Sequence, residues 1–316
     1  MKMKFVMLLL VLLMMGGCGK MESVQEQVEK NYTNTHGLIH AYPTEQDSEY
    51  LSETIGLYME YLTLIEDEEN FSKQFEVLKK HFLVQENGHS FIRWRLNENA
   101  STNALVDDIR IITALEQAAE IFSKEEYKMF AAKLSEAIAT VQVQGGSTVD
   151  FYDWSLEMSA ERLTLSYLDD NGAITPESYR LLDKADASEV FFSEYYDTDA
   201  EQYVSSKEVH MIDQLLIALN REKRGRHSEK FAAWLKKEWN EEQKLYGRYD
   251  RQSLKATVDY ESLAVYYYLH TYFSMTGNSE LADEVFQHTK EIAADGMLDN
   301  AHFFDFIHYQ MLVQKQ

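Results

Sequence analysis

Three short segments hold acidic residues in settings that could do acid–base work. The first is Ser52-Glu53-Thr54-Ile55-Gly56-Leu57-Tyr58-Met59. Ser52 is a good N-cap, which would place Glu53 in a first helical turn, where the helix dipole favours an anion. The second runs from Phe91-Ile92-Arg93-Trp94-Arg95 through a polar loop to Thr102-Asn103-Ala104-Leu105-Val106-Asp107-Asp108-Ile109-Arg110. Acids at a helix start have lowered pKa values, so Asp107 and Asp108 suit a charged role, as base or transition-state stabiliser. The third is Tyr246-Gly247-Arg248-Tyr249-Asp250-Arg251, where two arginines would keep Asp250 ionised. Each segment also has a plain reading: dipole complementarity, amide capping, or a weak surface salt bridge.

Other chemistries find less support. Asp197 to Glu208 places acids at positions 1, 3, 5 and 12 of a calcium loop, but Gln202 stands where the sharp turn needs glycine. It reads as a chance match within a hairpin. His36 and His40 lack the Glu-x-x-His setting of a zinc site and read as structural or exposed. No Gly-rich phosphate loop and no Gly-x-Ser-x-Gly elbow occurs, which removes kinases, dinucleotide enzymes and common serine hydrolases. No metal site and no cofactor is expected.

The elements that must position the three segments read as helices almost throughout. Leu51, Ile55, Tyr58, Leu62 and Ile65 recur at helical spacing, as do Phe71 to Phe82, Val106 to Phe122 and Tyr127 to Val141. Further helices are expected within 22–34 and over 157–168, 176–184, 207–220, 228–243, 257–275, 279–294 and 302–314. Breakers such as Gly145-Gly146, Asn171-Gly172 and Gly277-Asn278 separate them. About a dozen helices of ordinary length, several joined by short connections, indicate helical hairpins arranged as a toroid or a solenoid. Phe191 to Val204 reads as a small β-hairpin or a long loop.

Composition narrows the class. The chain has 316 residues, 53 acidic against 30 basic, and a net charge of −23, which argues against a nucleic-acid backbone as partner. Two prolines disfavour an all-β sandwich. Met1 to Gly17 form a basic start, an uncharged apolar run from Phe5 to Met15, and Gly16-Gly17, followed by Cys18, the one cysteine. This is similar to a bacterial lipoprotein signal, with Cys18 as the lipidated first residue of the mature chain. The expected organisation is a signal over 1–17, a tether over 18–35 and a catalytic unit over 36–316. That places the protein on the outer face of a cell membrane, held by a lipid anchor. Removing 1–17 takes away Lys2 and Lys4 and leaves 28 basic and 53 acidic residues, a net of −25.

In this order, the three acidic segments resemble glycoside hydrolase family 8. Ser52-Glu53-Thr54 with Gly56-Leu57-Tyr58-Met59, then Trp94-Arg95 and Thr102 to Ile109, then Tyr249-Asp250-Arg251 follow that family's order over roughly 35–314. The resemblance implies an all-α fold, the (α/α)6 toroid of six helical hairpins. It implies Glu53 as general acid and Asp250 as general base of an inverting glycosidase. Asp107, with Asp108 as the alternative, would steady the sugar in a distorted subsite. Trp94 and Tyr249 would stack on or orient the substrate, with Arg251 beside them. The implied substrate is an extracellular polysaccharide or exopolysaccharide with β-1,4-type links. Inversion needs acid and base about 6.5–9.5 Å apart, and Glu53 and Asp250 are 197 residues apart, so only a closed fold could join them. Asn103 and Leu105 stand where the family carries aspartates, which favours a competing reading: a non-catalytic glycan-binding lipoprotein on the same toroid. A third reading is a structural solenoid with no carboxylate-lined cleft.

Overall fold

The computed structural model describes residues 22–43, 48–97, 99–185 and 188–316. The signal segment and Cys18 lie outside the described residues. In chain order the helices are α1 (Val24–Gln27), α2 (Ser52–Leu64), α3 (Glu68–Val77), α4 (Leu105–Ile121), α5 (Glu125–Val141), α6 (Pro176–Lys184), α7 (Met211–Lys223), α8 (Glu229–Glu242), α9 (Leu263–Met275), α10 (Ser279–Ile292) and α11 (Phe303–Gln314). Single π-helical turns prolong α1 (Val28–Tyr32), α3 (Leu78–Phe82) and α10 (Ala293–Met297).

Burial sorts these helices into two layers. In α9, Leu263, Val265, Tyr266, Leu269, Tyr272 and Phe273 are buried on successive faces, whereas α10 buries only Ala282, Val285 and Thr289. A helix apolar all round is pressed between other elements, and one with a single stripe lies on the surface. The inner helices pack in sequence: α2 on α4, α7 on α9, α9 on α11, and α11 back on α2. The remaining inner position, between α4 and α7, is held by a one-turn 3-10 helix, Leu165–Tyr167, which packs on α7. The outer layer is α1, α3, α5, α6, α8 and α10. The chain is thus the (α/α)6 toroid, with one inner helix shortened to a single turn. Gly56 shows how close α2 and α4 approach: a Cβ there would meet Ile111 Cγ1 at 3.1 Å and Arg110 Cδ at 3.4 Å.

Direction follows from the alternation. Every inner helix starts at one end of the barrel, where long connections gather (33–51, 83–104, 142–164 and 243–262), while the chain after α6 climbs there from the base end of α7, where Arg221 binds the Leu182 and Ala185 carbonyls. The other end, the base, has mostly short turns, such as 65–67, 122–124, 224–228 and 276–278.

Two expectations change here. The stretch 157–168 is not a helix: Met158–Ser159 and Arg162–Thr164 are strands, and the latter pairs with Tyr195–Asp197. Leu163, Leu165 and Leu168 are spaced two and three apart rather than three and four, and the Asp150 carboxylate accepts the Thr164 amide at 2.6 Å, fixing an extended chain. The folded unit also begins earlier than 36, because α1 starts at Val24 and the following turn buries Val28 and Tyr32. The Tyr32 hydroxyl donates to the Ala301 carbonyl at 2.9 Å. The segment around Asp197 is a hairpin, Tyr195–Asp197 with Gln202–Val204, and the Asp197 carboxylate accepts the amides of Asp199 and Ala200 inside its turn. Among the described residues, no helix is long and apolar enough to cross a membrane.

Candidate active site

The cleft end of α2 and α4 carries a compact acid–base group. Ser52 is not a cap; it is the first residue of α2, preceded by Leu51. Its hydroxyl donates to Asp107 Oδ2 at 2.8 Å, while its amide donates to the Trp94 carbonyl at 2.9 Å. Asp107 does not cap α4 either. Its Oδ1 accepts from Arg110 Nη1 at 3.1 Å, one turn along the helix. Arg110 is held in turn. It hydrogen-bonds the Tyr268 phenol, which lies 2.8 Å from His308 Nε2, and His308 Nδ1 lies 2.6 Å from the Phe304 carbonyl. The carbonyl requires a proton on Nδ1, so Nε2 accepts the Tyr268 proton and the phenol oxygen accepts from Arg110. Burial lowers the His308 pKa to about 3, so its ring stays neutral in this role.

Glu53 stands beside this assembly, and its carboxyl makes no hydrogen bond among the described residues. Burial pushes its carboxyl up to about 7; the Asp107 charge pushes the same way and Arg110 opposes. Burial also raises Asp107, against the pull of Arg110 and Ser52. The pair therefore divides its roles: Asp107, held by the Arg110 cation and the Ser52 hydroxyl, is the carboxylate, and Glu53 holds a proton near neutrality.

A cleft cavity of about 600 Å³ lies alongside, lined by Trp94, Thr102, Phe151, Arg162, Tyr167 and Tyr195, among others. Trp94 is in its wall, with the Arg95 guanidinium 4.4 Å from its ring centroid. Tyr167 comes from the 3-10 turn, and its phenol is pushed up to about 12 by burial and by the charges of Asp150, Asp213 and Asp107. Asp213 is in the first turn of inner helix α7, half-buried, and its Oδ1 accepts from Ser166 Oγ at 2.8 Å.

Four of the expected residues stand elsewhere. Asp250 is not part of the group: its carboxylate accepts the amide and hydroxyl of Ser253, both at 2.8 Å, within its own exposed turn. The Ser253 bonds, with Lys207 as a lesser cause, hold it below the usual carboxylate range, and its surroundings do not include Glu53. Tyr249 is fully buried, with its ring 5.0 Å from Trp234, so it cannot stack on a sugar. Arg251 donates to the carbonyls of Ser206, Phe191 and Phe192 and pairs with Glu194, so it ties a rim loop together. Asp108 is buried, with Oδ2 2.5 Å from Asn103 Nδ2. Asn103 also bonds Gln142 and the Tyr152 amide, so the residue in the place of a family aspartate organises the loop instead. Asp213 was not among the expected residues. The signal for it was an acid opening an inner helix, as at Glu53 and Asp107, but the expected start at 207 placed it mid-helix.

A barrel of six helical hairpins is a glycosidase-like fold. Comparison with known proteins agrees. The crystal structure of PssZ from Listeria monocytogenes superimposes with a TM-score of 0.84 at 35% identity, over 92% of this chain and 94% of that one. YdaJ of Bacillus subtilis (strain 168), named as a candidate lipoprotein, is 33% identical over 250 residues, 75% of this chain and 67% of its own. The endoglucanase Cel10 of Klebsiella pneumoniae, a family 8 glycosyl hydrolase, shares the fold at 14% identity with a TM-score of 0.61, over 84% of this chain and 98% of that one. No family model matches the chain. The chain belongs to one family with PssZ and YdaJ, and it shares its fold with the family 8 glycosyl hydrolases.

Proposed function

We propose that the chain is a glycosidase that cleaves an extracellular polysaccharide, of β-1,4-linked type, by single-step inversion. The observation that carries this reading is the Glu53 carboxyl, held near pH 7 beside an Asp107 locked by Arg110 and Ser52. An acid with a pKa close to the working pH both carries its proton and gives it up to a leaving glycosidic oxygen. Asp107 would orient the ring of the sugar under attack. The base would be Asp213 rather than Asp250. Asp213 opens an inner helix on the cleft side, and its carboxylate accepts from Ser166, next to the cleft-lining Tyr167. Trp94, Phe151 and Tyr195 offer ring faces along the cleft, where sugar C–H faces pack well. Lipidation of Cys18 would keep the enzyme on the outer face of the membrane, next to cell-surface glycan.

The test is release of reducing ends by the mature chain from glucans, xylan, chitosan and bacterial exopolysaccharide. Activity that survives Glu53→Gln would remove the assignment. If Asp213→Asn retained full activity, the base would have to lie elsewhere.

A further inference from the structure

We infer that the chain stands on the bilayer on the base of its barrel, with the cleft opening away from the membrane. This rests on Cys18 as the anchor and on the direction of the first helix. Gln25, in α1, donates from Nε2 to Asp67 Oδ2 at 3.0 Å, and Asp67 belongs to the α2–α3 turn at the base. Tyr32, at the end of the following π turn, reaches Ala301, just before inner helix α11 starts at the cleft end. The outer strand of this first hairpin therefore climbs from base to rim, and the chain leaves toward Cys18 at the base.

Reach decides the rest. Five residues separate Cys18 from Val24, and the six steps between the two Cα atoms cover about 20 Å when fully extended. The 13 residues of α2 rise about 20 Å from the base turn to Glu53 at the cleft end. A tether leaving at the base would use its whole length merely to bring the anchor level with Glu53, and the rim loops 83–104 and 142–164 project further. The base has no such obstacle. Its turns are short, and Lys124 pairs with Glu68 at 3.0 Å and Arg224 with Asp183 at 2.8 Å. The consequence is a division of faces: the cleft samples polymer arriving from outside, and the lipid surface is kept from it by the barrel's own height.

Cys18 is the one cysteine, so single labels are readily placed. The lipidated full chain is reconstituted in vesicles that carry an energy-transfer acceptor in the bilayer. One donor is attached through Ser279→Cys, exposed at the start of α10 on the base, and another through Met158→Cys, 57% exposed on the cleft rim. The expected result is transfer about two-fold or more greater from the base label, given a barrel height comparable with the tether. Equal or reversed transfer with an intact anchor overturns the orientation and leaves the glycosidase reading untouched. If Cys18→Ser still floats with the vesicles, the anchor is wrong and the inference falls with it.

Discussion

Replacing the acid should stabilise the protein, and the gain should depend on pH. Glu53 is raised from 4.5 to about 7 in the fold, with burial the larger cause and Asp107 the second. Below 4.5 the group is protonated in both folded and unfolded chains and contributes nothing. Between 4.5 and 7 the unfolded chain ionises while the folded one keeps its proton, so stability falls as pH rises. Above 7 the loss is complete. At about 1.4 kcal/mol per unit the cost is about 1 kcal/mol at pH 5 and about 3 kcal/mol at pH 8. Glu53→Gln keeps the shape of the protonated acid and removes the titration, so it should recover both amounts. Urea unfolding at the two pH values, with an unchanged denaturant slope, reads this directly; in melting temperature the gain at pH 8 is about 5 °C for a chain this long. A gain equal at both pH values would refute the reasoning, because simple repacking has no such dependence. So would a variant less stable at pH 8 than at pH 5 relative to the parent.

The two candidate bases separate cleanly. Asp213→Asn should lower hydrolysis by about 10²–10⁴-fold, the usual worth of a general base, while Asp250→Asn should leave kcat within a few-fold. Arg251→Ala should cost about 3 kcal/mol in urea unfolding, since Glu194 and three carbonyls lose their cation; a loss below about 0.5 kcal/mol would mark the contact as idle. A net charge of −23 should attract cationic glycan, so cleavage of de-acetylated chitosan should slow as salt rises toward a Debye length of about 3 Å. Insensitivity to salt would limit the charge to solubility.

Much of this architecture was legible in the residues. Apolar stripes such as Val106 to Phe122 and Tyr127 to Val141 marked α4 and α5 almost to the residue, because helical periodicity is set by burial on one or more faces. Glu53 and Asp107 were legible for the same reason: each opens a long helix. The shortened third inner helix was not, because Leu163, Leu165 and Leu168 are as apolar as a helical stripe and only Asp150, distant by hydrogen-bond topology, makes the chain extended. Tyr249-Asp250-Arg251 misled because a short motif does not reveal which way its side chains turn. Here the tyrosine enters the core, the arginine binds carbonyls of a neighbouring loop, and the aspartate closes its own turn. The lock on Asp107 joins residues from four segments, Ser52, Arg110, Tyr268 and His308, and only the closed barrel brings them together.

The most direct test of the central claim is the configuration of the first product. The mature chain is incubated with the polysaccharide panel, and new reducing ends are counted and followed by proton NMR before mutarotation. The account predicts reducing ends of inverted anomeric configuration that vanish in Glu53→Gln. Glycan binding without new ends, unchanged by Glu53→Gln, would contradict it and leave a non-catalytic glycan-binding protein on the same barrel.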